Sequence, residues 1–136
     1  MSGCSIRARA PKGAVKSDAI QRDPDVLAGF LEDAAHYPGG FADGLLAATC
    51  EADISRLLEG SSPVLCVGAQ SSLTGGATPM GEVLLTTSRL NRIIKINAES
   101  VRVEAGVTLT DLDAALRNAG KYYPPTPTFM GAFVGG

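Results

Sequence analysis

The chain has 136 residues, 45% of them hydrophobic, and a formal net charge of -2, with a pI near 5.3. That size supports one domain or part of a larger one, with roughly two thirds of the unfolded surface available for burial. The acidic balance argues against a general nucleic-acid binder, which needs a basic face for phosphates, and a chain without Trp and with 5% aromatics offers little for base stacking.

The first residues, "MSGCSIRARAPKGAVK", are basic and contain no acid. They lack the apolar core of a secretory signal, so residues 1–17 are expected to be a disordered tail, with a transit peptide as the alternative. No apolar run approaches the roughly 20 residues of a membrane span. Cys4, Cys50 and Cys66 are widely spaced and form no CxxC, which disfavours a zinc site. An odd count without a secretory signal fits a reducing compartment such as the cytoplasm. Cys66 lies inside an apolar run and is expected to be a buried thiol.

Residues 18–136 read as one lobe. Asp23-Pro24 can start a helix, with Asp at the N-cap and Pro in the first turn, and Val26, Leu27, Phe30, Leu31 and Ala34 follow at helical spacing. His36, the single histidine, falls at the expected end of that helix, where a cation meets the dipole favourably; it is not assigned a catalytic role. "YPGGFADG" is a loop and "LLAAT" a short buried strand. Thr49 is placed to cap a second helix, with Ile54, Leu57 and Leu58 facing inward and Gly60 stopping it. "PVLCVG" is the next buried strand. After a glycine-rich loop, "EVLLTTS", "IIKIN" and "SVRVEAG" read as strands, and the alternation in "VRVEAG" is that of a half-buried one. Thr108 and Asp111 begin a third helix in capping-box fashion, with Leu109, Leu112, Leu116 and Ala119 as its apolar stripe and Gly120 at its stop. The prolines of "YYPPTPT" exclude a helix there. The pattern implies an α/β (α+β) fold, a small βαβ-type sheet flanked by helices. The chain ends on Gly135-Gly136 with no finished element after it, which suggests a fragment or a shortened product.

The loop "VGAQSSLTGGATP" follows a strand and contains no charged residue. It is not a Walker loop, because Gly75-Gly76 precedes Ala77 where GxxxxGK[ST] needs Lys. Nor is it a dinucleotide fingerprint, because Gly68-Ala69-Gln70 lacks the second glycine of GxGxxG. What remains is a run of main-chain N–H groups with the hydroxyls of Ser71, Ser72 and Thr74. Such a run can form a nest for a diphosphate without Lys or Arg; an ordinary Gly/Ser surface loop is the alternative. Arg89 and Arg92, in "SRLNRII", could reach a phosphate but are better read as a solvated turn.

From Val64 to Gly136 the chain presents "GAQSSLTGG", "VLLTTSRLNRI", "VEAGV", "YYPPTPT" and "FVGG" in that order. This series resembles the N-terminal FAD-binding module of FAD-linked oxidases, the vanillyl-alcohol oxidase and p-cresol methylhydroxylase superfamily. The branch it most resembles contains D-lactate and glycolate dehydrogenases and alkylglycerone-phosphate synthase. The resemblance implies the first lobe of a PCMH-type FAD-binding domain and a non-covalent FAD, since the histidine motif of covalently flavinylated relatives has no counterpart. It implies that Gly68, Ala69, Gln70, Ser71 and Ser72 surround the diphosphate. Leu73, Thr74 and Gly75 continue toward the flavin, and Thr128, Gly135 and Gly136 form a second FAD-lining segment. Gln70 stands where the family usually has Gly, Ser71 where it has Thr, and Thr126 where it often has Asp. With Gln at position 70, Gly68 is expected to carry any left-handed conformation alone.

Three functions remain at this point. The chain is the FAD-binding portion of an oxidoreductase acting on a 2-hydroxy acid or similar small CH–OH substrate (or of an alkylglycerone-phosphate synthase-like flavoenzyme), a truncated non-catalytic product, or a small interaction domain. No catalytic residue or metal ligand is assigned.

Overall fold

A computed structural model describes residues 20–125 and 127–136. The expected tail at 1–17, Cys4 and the Thr126 substitution lie outside them. Among the described residues, three helices and five strands follow the order read from the sequence: α1 (Pro24–Ala28), β1 (Gly44–Ala47), α2 (Glu51–Leu58), β2 (Val64–Val67), β3 (Val83–Thr86), β4 (Ile93–Ile96), β5 (Val101–Val103) and α3 (Leu109–Asn118).

The strands form two sheets. β1, β3 and β2 lie side by side in that order, all parallel, with Leu45 and Leu65 both in register with Leu84. β3 is central and buried along its whole length, so "VLLT" reads as a continuous apolar run rather than an alternating one. Alternate residues serve opposite faces. Leu46, Val83 and Leu85 pack with Leu57 and Ile54 of α2, whereas Leu45, Leu84 and Val67 pack with Leu27 of α1 and with Phe30. β4 and β5 form a separate antiparallel pair. Their Ile93, Ile96, Val101 and Val103 pack on Val107, Leu109, Leu112 and Leu116 of α3 and its entry. The chain is thus a parallel α/β layer joined to a smaller hairpin-and-helix layer.

Local chemistry sets the helix ends. Asp23 caps α1 by accepting the Asp25 N–H at 3.0 Å, and Thr108 caps α3 by accepting the Asp111 N–H at 3.0 Å. Gly120 takes φ +66° after α3, the left-handed geometry that ends helices at glycine. Four expectations are corrected. α1 stops at Ala28 instead of running to Ala34, with Gly29 as its C-cap, so His36 does not sit at a helix end; it lies in a turn with φ +52°, its Nδ1 3.2 Å from Glu32 Oε2. The N-cap of α2 is Cys50, not Thr49. Thr49 instead donates its N–H and hydroxyl to Asp53 Oδ2, at 2.9 and 2.7 Å. Leu58 is exposed, because the inward stripe of α2 is used up by Ile54 and Leu57. Finally, Cys66 is a free, exposed thiol: β2 is an edge strand, and its apolar run is not covered there. Among the described residues no helix is long and apolar enough to cross a membrane.

Candidate functional site

The glycine-rich loop leaves β2 at Gly68 and reaches β3 by way of Pro79, at one end of the parallel sheet. Ends of parallel strands are where α/β folds bind ligands. There Gly68, Ala69, Gln70, Ser71 and Ser72 line a pocket of about 240 Å³ together with Phe133, Gly135 and Gly136 of the C-terminal segment. Residues more than 60 positions apart in the chain therefore share one cavity. Leu73, Thr74, Gly75 and Thr128 do not line it. Leu73 is 80% exposed, and Ser72 Oγ and Thr74 Oγ1 lie 3.0 Å apart, so the loop turns outward after Ser72. A larger groove of about 620 Å³ runs between Ala98–Val101 and Lys121–Pro124, and none of the candidate residues lines it.

The main-chain N–H groups from Gly68 to Ser72 donate to no acceptor among the described residues. Buried or half-buried donors of this kind require a partner from water or a ligand. Gln70 has φ +48°, the left-handed backbone from which anion-binding nests are built. This reverses the expectation for the loop: Gln70 and Gly75 (φ +77°), not Gly68, adopt the left-handed conformation. The conformation costs a non-glycine residue about 1–2 kcal/mol. The Gln70 side chain offsets it by donating from Nε2 to Phe30 O at 2.9 Å and Ala77 O at 3.1 Å.

Small residues let the two walls pack closely on each other and on the segment behind. A Cβ on Gly68 would stand 3.3 Å from Gly136 Cα, and one on Gly135 only 2.6 Å from Ala105 Cβ. The segment carrying Gly135 is held along residues 105–110 by Val134 N–H to Val107 O and Gly135 N–H to Ala105 O, both 2.9 Å, and by Leu109 N–H to Ala132 O at 3.0 Å.

Asp33 escaped the sequence reading. It is 4% exposed and accepts the N–H of Ala35 at 3.0 Å and of Ala77 at 3.2 Å. Burial pushes its carboxyl up, but the N–H groups of Ala77 and Ala35 and the Ser72 hydroxyl outweigh this and hold it below the ordinary aspartate value. Thr78 Oγ1, buried nearby, adds to that field without completing a hydrogen bond of normal geometry. The signal available in sequence was only an acid inside an apolar stretch. Arg92 does not reach the pocket: its guanidinium and N–H bind the Glu104 carboxylate at 2.5–3.0 Å. Arg89 is exposed.

The family model described as "FAD binding domain" matches residues 42–136, well over half of the chain. D-lactate dehydrogenase of Anaerostipes hadrus is 31% identical over 93% of this chain and 27% of that protein. Glycolate oxidase subunit GlcD of Bacillus subtilis is 30% identical over 72% of this chain and 22% of that protein. The chain thus spans about a quarter of the length of these relatives. Among solved structures, an alkyldihydroxyacetonephosphate synthase superposes with a TM-score of 0.76 at 13% identity, covering 89% of this chain and 26% of the other. A p-cresol methylhydroxylase superposes with a TM-score of 0.59 at 18% identity, covering 76% and 22%. Both likenesses concern the fold. The loop, its order relative to the later strands and the extent of the family match lead to one conclusion: this chain belongs to the FAD binding domain family of the FAD-linked oxidases, and FAD is its cofactor.

Proposed function

We propose that this chain is the diphosphate-holding lobe of an FAD-linked oxidoreductase that acts on a 2-hydroxy acid. The observation that carries the proposal is the run of main-chain N–H groups from Gly68 to Ser72 that meet no acceptor among the described residues, in a pocket shared with Gly135 and Gly136. Such a run replaces basic side chains at an anion. The pocket, about 240 Å³, is smaller than the usual 300–1,000 Å³ of a whole-ligand site, and suits one part of a long cofactor. In this reading Gly68, Ala69, Gln70, Ser71 and Ser72 bind the diphosphate through their main chain. Gly135 and Gly136 close the other side, and Leu73, Thr74, Gly75 and Thr128 extend along the open rim toward the flavin.

When bound, FAD supplies a two-electron acceptor for substrate oxidation. The chain's own residues bind and orient the cofactor. The 2-hydroxy acid class rests on the D-lactate and glycolate named in the two relatives. FAD is held non-covalently, and the free thiols Cys50 and Cys66 support a reducing, cytoplasmic setting. The family match favours the cofactor lobe over a small interaction domain.

Titration of the chain with FAD, followed by flavin fluorescence, is expected to show weak, saturable binding that ADP competes away. Riboflavin, which lacks the diphosphate, should not bind. Equal binding of riboflavin rules out the cradle, and tight FAD binding rules out a lobe that depends on further contacts. Co-expression with the remainder of the Anaerostipes D-lactate dehydrogenase tests the cofactor-lobe reading: the assembled pair should retain FAD that neither part retains alone, and an assembled pair that retains none rejects it.

A further inference from the structure

The stretch from Phe30 to Ala35 lies before the family match begins at residue 42, yet it is tied to the loop at both ends. At one end Ala34 N–H donates to Gln70 O at 3.0 Å, and Gln70 Nε2 donates back to Phe30 O at 2.9 Å. At the other, Ala77 N–H donates to Asp33 Oδ2 at 3.2 Å, while Ala35 N–H occupies Asp33 Oδ1 at 3.0 Å. Gln70 Nε2 also reaches Ala77 O at 3.1 Å, so the two ends of the loop are joined to each other as well.

This arrangement has a local expense. The apolar spacing that begins in α1 continues through Leu31 and Ala34, but α1 ends at Ala28 and the main chain of Phe30 and Ala34 serves the loop instead. A carboxylate is also placed where it is 4% exposed, and a buried charge is tolerated only when its oxygens are satisfied. Both features have the same result: the directions of the N–H groups from Gln70 to Ser72 are set before any ligand arrives. Binding to a preformed donor set avoids the ordering loss that weakens binding to a loose one.

We propose that Asp33 is a positioning residue for the diphosphate cradle, acting through its hydrogen bonds to Ala77 and Ala35, with Gln70 as the second half of the same latch. The proposal rests on the cradle reading of the loop. It extends the binding machinery to a residue that touches no cofactor and lies outside the matched domain.

The test uses amide NMR on the whole chain with ADP as the diphosphate probe. In Asp33→Asn one of the two N–H groups faces an amide donor instead of a carboxylate oxygen. Far-UV circular dichroism should remain that of the wild type, the Ala35 and Ala77 amide signals should move upfield, and ADP should bind about tenfold more weakly, the loss of one charge-assisted hydrogen bond. Gln70→Gly decides the matter if Asp33→Asn does not fold. Glycine accepts the left-handed backbone but removes both Nε2 hydrogen bonds, and several-fold weaker ADP binding is expected. Wild-type ADP affinity in either folded variant overturns the positioning role alone. A wild-type chain whose Gly68–Ser72 amides do not respond to ADP overturns the cradle, and this proposal with it.

Discussion

The wall of the pocket that carries Gly68–Ser72 is fastened from behind mainly by side chains, with one main-chain bond from Ala34 to Gln70, whereas the wall that ends in Gly135–Gly136 is fastened mainly by main-chain hydrogen bonds, with the Thr110 hydroxyl on Met130 O. Asp33 and Gln70 hold the first. The second runs beside residues 105–110, with Met130 and Ala132 packed into the α3 core. Glycine backbone faces the pocket from both sides, but the weaknesses of the two walls differ. The first wall fails when a hydrogen-bonding side chain is removed, and the second when a Cβ is added.

The largest effect follows from the second wall. Gly135→Ala sets a Cβ 2.6 Å from Ala105 Cβ and 2.9 Å from Ala105 Cα, and backbone cannot yield as a side-chain tip can. A stability loss of about 2 kcal/mol is expected, measured by urea unfolding; an unchanged midpoint means that the wall does not pack on Ala105. At the first wall, Gln70→Ala keeps the left-handed strain and loses both Nε2 bonds, with an expected loss of about 1.5 kcal/mol. Gln70→Gly should recover up to about 1 kcal/mol of that, and identical stabilities for the two variants would show that φ is not positive at this position. Thr108→Ala removes the α3 cap behind the second wall and should lower stability by about 1 kcal/mol while leaving ADP binding intact; a drop in ADP affinity would join α3 to the cradle.

The smallest effect near neutrality is that of pH. Burial raises the Asp33 and Asp53 carboxyls, but their hydrogen bonds prevail and lower both. Glu104 is lowered chiefly by the hydrogen-bonding Arg92 guanidinium. Groups whose folded values are depressed contribute stability that is complete above the ordinary values, 3.8 for aspartate and 4.5 for glutamate, and is lost as pH falls through the lower folded values. Thermal midpoints should therefore be flat between about pH 7 and 5 and decline below about pH 4. Asp33→Asn should flatten part of that decline, and an unaltered decline would show that Asp33 is not among its sources.

Much of this architecture was legible locally. The β-branched runs at Ile93–Ile96 and Val101–Val103, and the caps at Asp23 and Thr108, depend on neighbours in sequence, and all appear where the pattern places them. What escaped depends on distant partners. The apolar spacing past Ala28 signalled helix, but Phe30, Asp33 and Ala34 are claimed by a loop some 40 residues away. Cys66 sits in an apolar run, and only the strand order shows that β2 is an edge. Gln70 is a poor left-handed residue by local preference, and only its contacts with Phe30 and Ala77 explain why it serves. Gly68–Ser72, Gly135 and Gly136 line one pocket, whereas Leu73, Thr74, Gly75 and Thr128 stay outside it.

Amide hydrogen exchange with and without FAD tests the central claim most directly, because the described residues form larger cavities besides the cradle. The diphosphate cradle predicts added protection at Gly68–Ser72 and at Gly135–Gly136, with none along the larger groove between Ala98–Val101 and Lys121–Pro124. Protection confined to that groove, with the Gly68–Ser72 amides exchanging as freely as before, would contradict it.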